Sequence, residues 1–204
     1  ISTLARTSGE YERLQHLNIS QCRLLESIAL SFPRLEELRA AGCVRLTALP
    51  ISCPRLEELH ASYCSRLTAL PISCPRLRRL DLSSSGSPAL FEGLSVLMWP
   101  LLEVLLLDRC STLTDSQLLT CIDGRYRLRT LDLAECKLLT DAAITAIVHN
   151  CPRLRQLNVN LCRGLTADAV GAIGRLRHLD SLHLIAAGSR LIDAVDQLCQ
   201  QRPI

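Results

Sequence analysis

Apolar positions along the chain follow one recurring order, Leu-x-x-Leu-x-(apolar)-x-x-Cys, whose first leucines fall at Leu14, Leu35, Leu56, Leu77, Leu102, Leu128, Leu154 and Leu179. Successive starts are 21 residues apart in the first three intervals and 25 or 26 apart in the last four. A fixed period of this length means that one small unit, unable to bury its apolar face alone, is stacked on copies of itself. Cys53-Pro54-Arg55-Leu56-Glu57-Glu58-Leu59 and Phe32-Pro33-Arg34-Leu35-Glu36-Glu37-Leu38 are such copies. The pattern predicts a single elongated domain over 1–204 of about eight repeats, short ones in 1–88 and longer ones in 89–204. The turn-rich run Ser83-Ser84-Ser85-Gly86-Ser87-Pro88 marks the change. The chain opens at Ile1 without an evident polar capping unit, and we expect it to be part of something longer.

Each unit is expected to place a short strand at its Leu-x-x-Leu-x-(apolar) segment, leucines inward, on a parallel concave sheet. The 21-residue units have no room for a full helix and end in Leu49-Pro50 and Leu70-Pro71, which predicts an extended convex side. The longer units add a helix. In Thr140-Asp141-Ala142-Ala143-Ile144-Thr145-Ala146-Ile147-Val148, Thr140 or Asp141 caps the start, and Ile144, Ile147 and Val148 share one face. Thr114 and Asp115 repeat this, with Leu118 and Leu119 inward. Ala167 replaces the acid in the seventh unit, so that helix should start less firmly on Thr166. The eighth unit has Ala187 in place of cysteine and a helix over Leu191 to Cys199.

These spacings resemble the leucine-rich repeat. The ninth-position cysteine, with Cys110-Ser111-Thr112-Leu113-Thr114-Asp115 and Cys136-Lys137-Leu138-Leu139-Thr140-Asp141, resembles the cysteine-containing class common in F-box proteins. Cys64-Ser65-Arg66-Leu67-Thr68-Ala69-Leu70-Pro71 is similar to the repeats of plant immune receptors. The resemblance covers almost the whole chain and implies an α/β leucine-rich-repeat solenoid, a right-handed horseshoe with short convex helices in its second half.

Composition refines this picture in three ways. The 204 residues are 48% hydrophobic but only 3% aromatic, so the core should be built of thin aliphatic side chains and cysteine. A formal charge of +3 does not suggest a nucleic-acid or membrane surface. The 11 cysteines follow the repeat rather than a disulfide framework, with Cys22, Cys43 and Cys64 spaced by 21 and Cys110, Cys136 and Cys162 by 26. Each should act as a small buried hydrophobe whose thiol donates weakly to loop carbonyls. Reduced cysteine and the lack of a visible signal peptide or apolar span place the expectation in the cytoplasm.

No catalytic constellation is present, and no cofactor or metal site is assigned. Glycine-rich phosphate loops, His-Glu-x-x-His and Gly-x-Ser-x-Gly are all missing, as is any Cys-x-x-Cys. His60 and Cys64 do not make a nucleophile and base, because the register turns one to the concave face and the other to the core. What remains is surface. Candidate partner-binding residues on the concave face are Arg39, His60, Tyr63, Arg79, Asp81, Leu106, Asp108, Arg109, Asp132, Glu135, Asn158 and Asn160. Of these, Tyr63, Leu106 and Arg109 are the natural anchors. A second column holds arginine just before the first leucine of six units: Arg13, Arg34, Arg55, Arg76, Arg127 and Arg153. Arg125, Arg127, Arg129, Arg153 and Arg155 then form a basic edge, read either as a solvated edge balanced by Glu135 or Asp132, or as a dock for an acidic or phosphorylated segment. The resemblance implies a non-catalytic protein-binding module in one of three settings: the substrate-recognition domain of an F-box-type ubiquitin ligase, reaching a Skp1-like adaptor through a region outside this chain; a scaffold in a large assembly such as a cilium; or the ligand-sensing array of an immune-type receptor.

Overall fold

The structure is a computed structural model and describes residues 3–4, 12–28, 32–49, 53–70, 74–85, 87–94 and 99–185. Two short strands, β1 (Thr3–Leu4) and β3 (Ser27–Ile28), pair in parallel apart from the main sheet. The main sheet has eight parallel strands: β2 (His16–Asn18), β4 (Glu37–Arg39), β5 (Glu58–His60), β6 (Arg79–Asp81), β7 (Val104–Leu106), β8 (Thr130–Asp132), β9 (Gln156–Asn158) and β10 (Ser181–His183). Their order in space is their order in sequence, from β2 at one end to β10 at the other. Every strand is three residues long with leucine at its centre, and the register aligns Leu38, Leu59, Leu80, Leu105, Leu131 and Leu157 into one buried column. Side chains alternate across a strand, so the residues flanking each leucine form the opposite, concave face.

Behind the sheet, successive leucines, alanines and cysteines stack into a continuous core. Its composition departs from an all-aliphatic expectation at three places, since Phe32, Phe91 and Trp99 are also buried. The position three residues before each first leucine explains two of them. It carries Phe32, Cys53, Cys74, Trp99, Arg125, Cys151 and Leu176, all buried.

The convex side differs between the halves as the period demands. In the short repeats, parallel bridges join Ser27, Ala48 and Ala69, and Thr68 donates both its N–H and its hydroxyl to the Thr47 carbonyl. The prolines expected to end these units, Pro50 and Pro71, lie outside the described residues. Four convex helices follow among the described residues: α1 (Pro88–Gly93), α2 (Asp115–Ile122), α3 (Asp141–Asn150) and α4 (Ala167–Ile173). Thr114, Thr140 and Thr166 are their N-caps from α2 onward, each accepting a backbone N–H of the first turn. The expectation for α3 holds, with Ile144 and Ile147 buried and Val148 partly so. That for α2 is half right. Leu118 is buried, but Leu119 is 43% exposed, because Cys121 and Ile122 take the inward phase. The eighth-unit expectations, Ala187 and the helix over Leu191 to Cys199, lie outside the described residues.

The Thr-Asp pair does more than start a helix. Asp115 accepts the N–H and hydroxyl of Thr140, one repeat ahead, at 2.9 and 2.7 Å, and Asp141 accepts the same two groups of Thr166 at 2.8 and 2.5 Å. Each acid therefore pins the following helix start. This corrects the expectation that α4 begins less firmly for having Ala167: its cap Thr166 is held by Asp141, and Ala167 instead drops the link forward.

Candidate functional site

The end of each strand is built by the same turn. The residue before the ninth position is left-handed in seven repeats: Gln21, Gly42, Tyr63, Ser84, Arg109, Glu135 and Leu161, with φ between 54° and 76°. Only one is glycine, so the others carry strain on the order of 1 kcal/mol each. Compensation comes from a regular backbone ladder. Tyr63 N–H donates to Ser83 O at 2.8 Å, Arg109 N–H to Ala134 O at 2.7 Å and Glu135 N–H to Asn160 O at 2.7 Å, each on the next repeat. Beneath the ladder the ninth-position thiols donate to carbonyls of the preceding repeat, Cys43 to Ile19, Cys64 to Ala40, Cys136 to Leu107 and Cys162 to Leu133, all at 3.1–3.2 Å. The cysteine expectation is thus met at Cys43, Cys64, Cys110, Cys136 and Cys162 but not at the exposed Cys22, and Ser85 performs the same task in the fourth unit through Ala61 O at 2.7 Å. Burial pushes these thiols up, Cys64 to about 12 and Cys162 to about 11, so they stay protonated at neutral pH. Cys22, in the first of these turns, is exposed.

The left-handed turns line up side chains that the sequence separates by 46 and 26 residues. Arg109 donates to Tyr63 Oη at 3.4 Å and to Glu135 Oε1 at 3.0 Å, and this partner raises its guanidinium further above its ordinary value. A ridge Tyr63–Arg109–Glu135 results, with Tyr63 52% exposed. Beside it Val104 and Leu106 are half-buried on the concave face. Leu161, 43% exposed, continues the ridge.

Other candidates divide their capacity. Asp81, Asp132 and Asn158 each accept the N–H two residues on, at Ser83, Ala134 and Asn160, forming Asx turns that fix the strand ends. Asn158 also donates to Asp132 at 3.0 Å, and the Asn160 amide oxygen accepts from Ile185 N–H. Asp108 and Arg79 are half-buried. At the other end Arg39 pairs with Glu37 at 2.5 Å and holds that carboxyl below its usual range. His60 lies 3.2 Å from Glu58, 3.9 Å from Glu37 and 4.0 Å from Asp81.

The basic edge needs one correction. Arg125 is not on it: it occupies the buried position shared with Trp99 and Cys151, donates to Asp123 O at 2.6 Å and Leu94 O at 3.3 Å, and stacks 5.5 Å over the Trp99 ring. A long arginine stem fills that apolar slot while carbonyls and the ring face accept its charge. Arg127, Arg129, Arg153 and Arg155 are exposed. Asp180 lies 3.5 Å from Arg155. Glu135 and Asp132, the acids expected to balance the edge, point to Arg109 and Asn158 instead.

Comparison with known proteins agrees with this geometry. A family model described as Leucine Rich Repeat matches residues 13–35. No curated protein matches the sequence. Among solved structures, the crystal structure of the Rad7 and Elc1 complex in yeast is similar, with a TM-score of 0.57 and 19% identity over 90% of this chain. The fold is the leucine-rich-repeat solenoid. This chain's solenoid spans 62% of that neighbour's chain. No helix among its described residues is long and apolar enough to cross a membrane.

Proposed function

We propose that this solenoid is a non-catalytic protein-interaction module, serving as the substrate-recognition domain of an F-box-type ubiquitin ligase. The observation that carries the binding role is the Tyr63–Arg109–Glu135 ridge beside half-buried Val104 and Leu106. An aromatic and an arginine held in place by their own contacts lose little freedom on binding, and apolar surface beside them supplies the desolvated centre that hot spots require. Eight strands at about 4.8 Å present a face on the order of 35 Å long, enough for an interface of standard size. The ligase setting rests on the ninth-position cysteines and Thr-Asp helix starts, and the similar solved structure is itself a complex with a second protein, Elc1. Arg127, Arg129 and Arg153, exposed and without an ion pair within 4.0 Å among the described residues, favour an acidic or phosphorylated segment of that partner.

Affinity purification of the full-length protein from its native cell, followed by mass spectrometry, tests both parts. A Skp1-like adaptor and a cullin recovered with a substrate are expected. The substrate should be lost in Tyr63→Ala and Arg109→Ala and weakened in Arg129→Glu with Arg155→Glu, while the adaptor stays. Recovery of a fixed assembly lacking adaptor and cullin would replace the ligase setting by a scaffold.

A further inference from the structure

Beyond that interface, we propose that Glu37, Glu58 and His60 form a zinc-binding site on the concave face. Parallel register stacks Glu37 directly on Glu58 and Arg39 on His60. Two carboxylates one strand apart repel each other unless a cation lies between them. Imidazole converges on both: one ligand atom from each of the three residues lies within 4.8 Å of the others. A tetrahedral zinc ion with bonds of 2.0–2.2 Å needs ligand atoms about 3.4 Å apart. His60 Nε2 is 3.2 Å from Glu58 Oε2 and 3.9 Å from Glu37 Oε1, so the set is close to that spacing before any ion enters. Glu58, with half its side chain exposed, has the rotational freedom to close the rest.

The surroundings fit as well. His60 Nδ1 lies 4.0 Å from Asp81 Oδ2, too far for a hydrogen bond but with the carboxylate behind the imidazole, and Asp81 Oδ1 accepts from Ser83 N–H at 3.0 Å. Arg39 donates to Glu37 Oε1 and so fixes the carboxylate that faces His60. One nitrogen and two carboxylate oxygens are a borderline donor set that suits zinc better than calcium or magnesium, which take oxygen ligands in greater number. Three protein ligands leave the fourth position open toward the concave side, for water or an incoming side chain.

Zinc chloride titrated into the full chain by calorimetry is expected to show one saturable site. His60→Ala and Glu58→Gln should each weaken it at least about 10-fold, with circular dichroism confirming that the variants stay folded. Cobalt substituted for zinc should give the absorption of a nitrogen and oxygen site, without the intense thiolate charge-transfer band of a cysteine site. Absence of saturable binding, binding unchanged in both variants, or binding lost instead in Cys22→Ser with that thiolate band would overturn the proposal.

Discussion

The two halves of the solenoid share their concave and ascending sides but solve the convex side differently. From Leu14 to Ser85 the short repeats close with single bridges and threonine hydroxyls, as in Thr47 to Glu26 O and Thr68 to Thr47 O. From Asp115 to Ile173 helices fill the convex side, one bridge remains between Thr140 and Gly164, and the acids after Thr114 and Thr140 tie one helix start to the next. The concave faces diverge too. The first half carries a cluster of charged and titratable groups, Arg39 paired with Glu37 and His60 within 4.0 Å of three acids, whereas the second carries Val104, Leu106, Thr130 and Gln156. Since strand, left-handed turn and thiol ladder persist through both, that shared side sets the stacking, and the convex side only has to fill whatever length the repeat allows.

The strongest way to break this comparison is to attack what the halves share. Cys53, Cys64 and Cys74 in the first half and Cys110, Cys121, Cys151 and Cys162 in the second have thiols raised to about 11 or about 12 by burial. In the unfolded chain each titrates near 8.5. A folded value above the unfolded one means that the contribution of burial is complete below about pH 8.5 and declines as pH rises toward about 12, by roughly 1.4 kcal/mol per thiol per pH unit. Several thiols acting together outweigh a typical domain stability of about 5–15 kcal/mol. Both halves should unfold in one transition near about pH 10, well before the native thiols ionise. Far-UV circular dichroism along a pH titration measures this. A fold intact at pH 11, or two separate transitions, would show that the buried thiols do not govern both halves.

A central leucine from each half sharpens the same point. Leu59 is 1% and Leu131 0% exposed, in equivalent places in the sheet column. Leu59→Ala and Leu131→Ala should each cost about 3 kcal/mol, within the range of about 2–5 for such truncations. Because the strands of both halves belong to one uninterrupted ladder, each variant should move the whole denaturant transition. A Leu131→Ala change that moved only part of the signal would mean that the halves fold independently.

The leucine columns, the class change and the helix starts were legible because each is written into residue type at a fixed interval. What escaped reading had no such mark or was read in one repeat only. Arg125 looked like an edge residue beside Arg127 and Arg129, although comparison with Phe32, Trp99 and Cys151 at the same register would have placed it inside. The left-handed row holds Gln21, Gly42, Tyr63, Ser84, Arg109, Glu135 and Leu161, so no shared chemistry announces it. Its strain is met by backbone bonds, which any residue can make. Tyr63, Arg109 and Glu135 were picked one by one, and only the turn shows that they touch. Glu37 and Glu58 occupy one strand position and His60 another, and convergence between positions needs side-chain geometry.

The smallest effect separates the two convex solutions. Asp141→Asn keeps the size of the side chain but weakens a charged acceptor that takes both the N–H and the hydroxyl of Thr166. Hydrogen bonds to a charged group contribute about 1.5–3 kcal/mol and neutral ones about 1 kcal/mol, and this pair is exposed, so a loss of about 1 kcal/mol is expected. Thr68→Val in the first half removes one hydroxyl bond to Thr47 O at 3.0 Å while the backbone bond between the same residues remains, so about 0.5 kcal/mol is expected. Chemical denaturation of the two variants side by side decides the order. Equal losses would mean that the acid merely caps its own helix and carries no coupling between repeats; a larger loss at Asp141 that also raises amide hydrogen exchange in α4 would establish the link from one repeat to the next.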